Sequence, residues 1–332
     1  MQAAVNSRNK VPISSNGWPL KGGLLLFCGE ATITYLNRQP YLLLVATAIL
    51  WAGNTIAGKF AVGHISPFLL TSSRWLVAFA ILLPFAFPYL RRDLPVIRRH
   101  AAFLFLLGAI GFALFNNLFY LALNYTSAIN VAIEQASMPL VVFVLNFLFF
   151  SIRTSRLQAG GFLLTLIGIV IIVTHGDPAS LASQNVNVGD VLMMCAAFFY
   201  ALYSVALVRK PRLHWLSFIT SLAGAAFVAS IPFTFWEFSA ARIRFPDSTG
   251  FAVVAYTAVF PSIVAQLSWM RGLELIGSNR GGVFINLVPI FASALAIMLL
   301  GEAFLPYHFV ALCLVLGGVW LSQQGSGAGA RI

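Results

Sequence analysis

Three charged side chains, Lys59, Arg74 and Glu134, fall inside long apolar runs of this chain. If those runs cross a bilayer, a buried charge costs roughly 2.5–3.5 kcal/mol and is kept where it faces a cavity or a partner. Glu134 lies about two turns into its run, Arg74 at similar depth in another, and Lys59 about one turn from the end of a third. The three therefore share one slab, as a gate or charge cluster for a charged solute; an ion pair locking helices, with Lys59 snorkelling to water, is the structural alternative. Polar and aromatic side chains recur at helical spacing nearby. Asn130 with Glu134, Asn116 with Tyr120, and Tyr200 with Ser204 are each four apart and share a face, Trp51 with Asn54 and Tyr200 with Tyr203 three apart. Trp269 and Asn286 add a second set. Singly, such groups bond neighbouring helices for about 0.6 kcal/mol; as a set they fit a pocket for a small organic solute.

Other chemistries lack their residues. Histidines 64, 100, 175, 214 and 308 all fall near breaks between apolar runs, and Cys28, Cys195 and Cys313 are far apart. They offer no metal spacing and no disulfide framework. No GxxxxGK[ST] loop occurs. Catalytic residues, metal and cofactor are accordingly read as none.

The elements that must position these residues follow from composition. The chain has 332 residues, 60% hydrophobic and only 9% charged, against about 45–50% and about 25% in soluble domains. That excludes a water-soluble enzyme or a disordered chain and predicts an all-α polytopic membrane protein. Apolar runs predict spans over 41–62, 67–90, 101–123, 127–150, 157–174, 189–208, 215–236, 250–270, 280–301 and 307–323. The net charge of +11 is sorted rather than spread. Sixteen of the 20 Lys and Arg fall on the N-terminal side, Arg242 and Arg244 fall on the other, and Lys59 and Arg74 lie within spans. By the positive-inside rule both termini are cytoplasmic, which turns the basic excess away from nucleic acid and toward a lipid bilayer. Residues 1–38 are expected to be a cytoplasmic arm; Gly22–Cys28 is too short to span and no signal peptide is read there, an extra helix being the alternative.

A shift of 150 residues lays Pro139 on Pro289, Leu123 on Leu273, Gly168 on Gly318 and Lys59 on Arg209. Each half then has five spans. Because five is odd, the second half enters from the opposite side, giving two inverted five-helix repeats with a site near the midplane. The expected division is 39–175 and 189–323, with an external linker at 176–188 and a cytoplasmic tail at 324–332. Pro139 and Pro289 are the candidate hinges, with rigid kinks as the plainer reading.

Leu50-Trp51-Ala52-Gly53-Asn54 with Lys59, Pro67 with Arg74, and residues 120–140 with their counterpart at 270–304 resemble the drug/metabolite transporter superfamily, in particular EamA-type carriers. The second repeat carries that family's Gly-Glu pair as Gly301-Glu302, where the first has Ser151-Ile152. The resemblance implies a non-enzymatic secondary transporter of small metabolites in the plasma (inner) membrane, expected to be an exporter of amino acids or related compounds working by alternating access. A titratable Glu134 would permit proton coupling. A membrane-embedded lipid or glycosyl transferase is the competing class, and would need paired carboxylates or a His–acid set.

Overall fold

The computed structural model describes residues 39–150, 155–177, 187–277 and 281–328. Residues 1–38, Ser151-Ile152 and much of 176–188 lie outside them, so the readings made of those segments do too. The described residues form ten helices long and apolar enough to span: α1 Pro40–Phe60, α2 Pro67–Arg99, α3 Ala101–Ala122, α4 Ala128–Phe149, α5 Arg156–Val173, α6 Val188–Arg209, α7 Trp215–Ser239, α8 Ser248–Ile276, α9 Gly282–Leu300 and α10 Pro306–Gln324. All ten coincide with the apolar runs. One edge is corrected. The segment RRDLPVIRRH, read as a break, continues α2 as helix through Arg99 despite Pro84, Pro88 and Pro95. At 33 residues and ~1.5 Å per residue this helix outreaches a hydrocarbon core of ~30 Å. Its charged end leaves the apolar layer, and carbonyls freed by Pro95 can meet water there.

Packing follows the duplication. Helix α1 packs on α8 and α9 as α6 packs on α3 and α4, while α2–α7, α4–α9 and α5–α10 pair across the pseudo-two-fold axis. Small residues set the closest crossing. Thr165 Oγ1 of α5 reaches the Val315 carbonyl of α10 at 3.4 Å, and glycines 161, 168 and 318 leave no room for a side chain in this seam.

Irregular turns also recur at the repeat interval. α3 widens to π-helix at Ala109–Leu114 and α8 at Phe260–Val264. α4 breaks at Ala136-Ser137, just before Pro139, and α9 opens as 3-10 helix over Gly282–Asn286, just before Pro289. Freed backbone groups of this kind are tolerated in a bilayer where protein or cavity water meets them. Here side chains do so: Trp51 Nε1 donates to the Pro261 carbonyl at 3.3 Å, Asn116 Nδ2 to that of Phe112 at 2.6 Å, and Ser262 Oγ to that of Thr257 at 2.8 Å.

Candidate functional site

The four irregular turns surround a cavity of about 300 Å³ between the repeats. Its aromatic wall includes Trp51 and Trp269, with ring centroids 5.3 Å apart, together with Phe112, Phe115 and Tyr200. Amides of Asn54, Asn116, Gln135, Gln266 and Asn286 supply polarity. The lining starts near mid-depth on α1 and α3 and runs along α6, α8 and α9 to Ser204, Trp269 and Ile285. Those positions lie toward the face that carries most Lys and Arg, so the space extends to that basic face.

Arg74 stands at the opposite, inner end of the cavity and is the charged side chain among its lining residues. Its Nε donates to Ser262 Oγ at 2.7 Å; its Nη1 donates to Asn54 Oδ1 at 3.1 Å, Asn116 Oδ1 at 2.8 Å and Tyr120 Oη at 2.5 Å. Tyr120 Oη in turn donates to Asn54 Oδ1 at 2.9 Å, and the Trp75 ring lies 5.0 Å from the guanidinium carbon. Every one of these partners is neutral. They fix the guanidinium without cancelling its charge, and Nη2 makes no hydrogen bond to the described residues. A rigid cation with one unused fork nitrogen at a cavity wall is suited to a carboxylate or a similar anion.

The expected cluster of Lys59, Arg74 and Glu134 is not assembled. Lys59 Nζ donates instead to the carbonyls of Leu123 at 2.9 Å and Thr126 at 2.7 Å, closing the C-terminal end of α3 as cations do. Glu134 turns toward α6, where it meets Asp190, because its face of α4 packs on that helix. Of the other expected contacts, Trp51, Asn54, Asn116, Tyr200, Trp269 and Asn286 line the cavity. Tyr120 is buried behind Arg74. Tyr203 backs the wall, its ring 5.6 Å from that of Phe112. Asn130 belongs to the far face, bonded to His308 Nε2 at 3.1 Å and to Thr126 Oγ1 at 3.2 Å. Pro139 and Pro289 both line the cavity beside the two helix breaks.

The far face is tied together by two carboxylates to which the sequence reading gave no site role, Glu302 having been noted only within the Gly-Glu pair. Glu237 of α7 accepts from Ser66 Oγ at 2.7 Å, Leu69 N at 3.1 Å and Phe68 N at 3.4 Å, capping the start of α2. Glu302, after α9, accepts from Ala128 N at 2.8 Å and Ile129 N at 3.0 Å, capping α4. Both join one repeat to the other. Ser66 N to the Arg244 carbonyl at 3.1 Å and His64 to Asp247 at 2.7 Å complete the closure. The Gly301-Glu302 pair was the available signal for one of these.

A membrane bundle of two inverted repeats around a cavity open to one face is the architecture of a carrier. The chain matches the EamA-like transporter family over residues 38–174 and again over 187–323, one match per repeat, and it belongs to that family. It is similar to the uncharacterized transporter YetK of Bacillus subtilis, at 24% identity over 85% of this chain and 86% of that protein. It is likewise similar to an uncharacterized transporter of Archaeoglobus fulgidus, at 28% identity over 86% and 98%. A solved structure titled only "Crystal structure of protein" shares the fold, with TM-score 0.58 and 17% identity over 89% of this chain and 99% of that one.

Proposed function

We propose that this transporter is a secondary exporter of amino acids or related small carboxylate metabolites, moving them by alternating access in exchange for protons. The observation that carries the reading is Arg74, held by four neutral partners with Nη2 left over at the wall of the cavity. A solute carboxylate would meet that nitrogen, amide oxygens of Asn286 and Gln135 would accept from an ammonium group, and the Trp51–Trp269 wall would hold an apolar side chain. The volume, about 300 Å³, is at the small end for organic ligands. Export is supported by the side on which the cavity lies. Basic residues mark the cytoplasmic face, so with both termini cytoplasmic, in the plasma membrane, the site is loaded from within while the far face is closed.

The test is efflux from proteoliposomes filled with a pooled metabolite library, with mass spectrometry recording what leaves and Arg74→Gln as the control. Selective loss of carboxylate compounds, abolished in the control, is the expected result. Folded protein that releases no compound selectively in either orientation overturns the reading.

A further inference from the structure

Glu134 and Asp190 sit outside the cavity, yet they are acidic side chains whose oxygens all lie buried. Both are fully buried, at 0% exposure. Their carboxyl groups face each other; neither Glu134 oxygen meets a donor among the described residues, and the donors that face Asp190 are the neutral side chains of Thr126 and Asn130. Burying a polar group without a partner is costly, and two facing carboxylates are both acceptors only. A single proton between them turns the contact into a donor–acceptor pair. Among the described residues no lysine or arginine takes that part. Lys59 is spent on the Leu123 and Thr126 carbonyls and Arg74 on the cavity wall. The groups that face Asp190 are Thr126, Asn130, His175 and the ring of Tyr307, and His308 is turned to Asn130.

Position adds the second argument. Glu134 belongs to the first repeat and Asp190 to the second, so the pair bridges the moving halves. On one side, Asn130 opens into a far-face vestibule of about 400 Å³ that also touches Lys59, Thr126, Glu302, Tyr307 and His308. On the other, Gln135 and Ala136, next along α4, line the central cavity. Glu134 therefore stands on α4 between a residue that lines the vestibule and two that line the central cavity.

We propose that Glu134 and Asp190 form a proton-binding site, one carboxyl from each repeat, whose occupancy holds the far face closed and whose emptying opens it. A proton entering from the vestibule draws α4 and α6 together. Its release as hydronium to cavity water leaves two bare carboxylates, which repel and part the helices at the far end. The coupling of this step to solute exit rests on the carrier reading; the proton site itself does not.

The experiment is an infrared titration of the full chain in proteoliposomes, in H2O and D2O, with the proton as the probe and sodium absent or present. The expected result is one protonated-carboxyl band that shifts in D2O, titrates with pH, ignores sodium, and is lost in both Glu134→Gln and Asp190→Asn. Glu302→Gln should keep the band, and gel filtration with tryptophan fluorescence establishes that each variant is folded. If Asp190→Asn does not fold, Glu134→Gln alone decides. No titrating band, a band that survives Glu134→Gln, or one that sodium displaces at constant pH overturns the proposal; the last outcome would make it a metal-cation site. A band behaving as expected in protein that fails the efflux test upholds the proton site and removes only its coupling to a solute.

Discussion

Glu302 caps Ala128: the Oε1 of a residue in the second repeat accepts the first free backbone N–H of a helix in the first, at 2.8 Å, while Oε2 takes that of Ile129 at 3.0 Å. The repeat-related positions Ser151-Ile152 carry no acid, so the carboxylate is present at the far end alone. A carboxylate there also lies at the positive end of the helix dipole. Losing a cap costs about 1 kcal/mol, roughly a fivefold change in the ratio of two conformers. Glu302→Ala should therefore raise far-face labelling of a cysteine placed at Ile129, in a background without native cysteines, several-fold over the parent. Glu302→Gln, which retains one acceptor, should fall between. Unchanged labelling would mean that the cap does not hold the closed state.

Arg74 should be intolerant of lysine. A single ammonium cannot serve Ser262, Asn54, Asn116 and Tyr120 while presenting a nitrogen to the cavity. Hydrogen bonds to charged groups contribute about 1.5–3 kcal/mol, so Arg74→Lys and Arg74→Gln should each lower efflux efficiency by roughly tenfold to a hundredfold. Tyr120→Phe removes one of the four supporters and leaves the guanidinium charge at the cavity wall, so it should cost less than either. Initial rates over a substrate series in proteoliposomes separate the two. Equal losses in Arg74→Gln and Tyr120→Phe would argue that the arginine only braces the helices.

Two adjacent glycines of α10 should answer oppositely to valine. A Cβ on Gly318 would fall 2.9 Å from Thr165 N and against the Gly161 carbonyl, whereas one on Gly317 meets nothing within 4 Å. Overpacking costs about 1–3 kcal/mol, and more where backbone is struck. Thermal unfolding in detergent should shift down markedly for Gly318→Val and hardly at all for Gly317→Val. Similar shifts in both would contradict the α5–α10 seam.

The spans were legible because each needs about 20 apolar residues, a signal that outlasts local detail. The end of α2 was not, since Arg91 to Arg99 look like a loop unless the helix is known to leave the bilayer. Cavity positions such as Trp51, Asn54 and Asn286 stood out because amides and indoles are unusual inside such runs. Partnerships were another matter. Which way Glu134 points depends on the rotation of α4 against α6, and no spacing within α4 contains that. Asp190 escaped notice because it lies at the very start of the 189–208 run, where a carboxylate can reach water. Ser262 and Gln135 carried no signal of their own until the π segment and the broken turn placed them.

The last expectation concerns acid. His214, in the connection before α7 on the basic face, stacks on Tyr89 with centroids 3.7 Å apart, and its backbone N–H donates to Asp93 Oδ2 at 2.8 Å. Burial, and then the Arg92 charge, hold its imidazole below the ordinary histidine range, with Asp93 pulling the other way. The folded state therefore resists a proton that the unfolded chain accepts. Stability is complete above the unfolded value, about 6.5. It declines as pH falls through that value and stops declining once the lowered folded value is passed, because the unfolded state binds more protons in that window. His214→Phe keeps the stack and removes the titration. Melting curves in detergent between neutral pH and mild acid should show a smaller fall for the variant than for the parent. Parallel falls would assign the acid sensitivity to other groups.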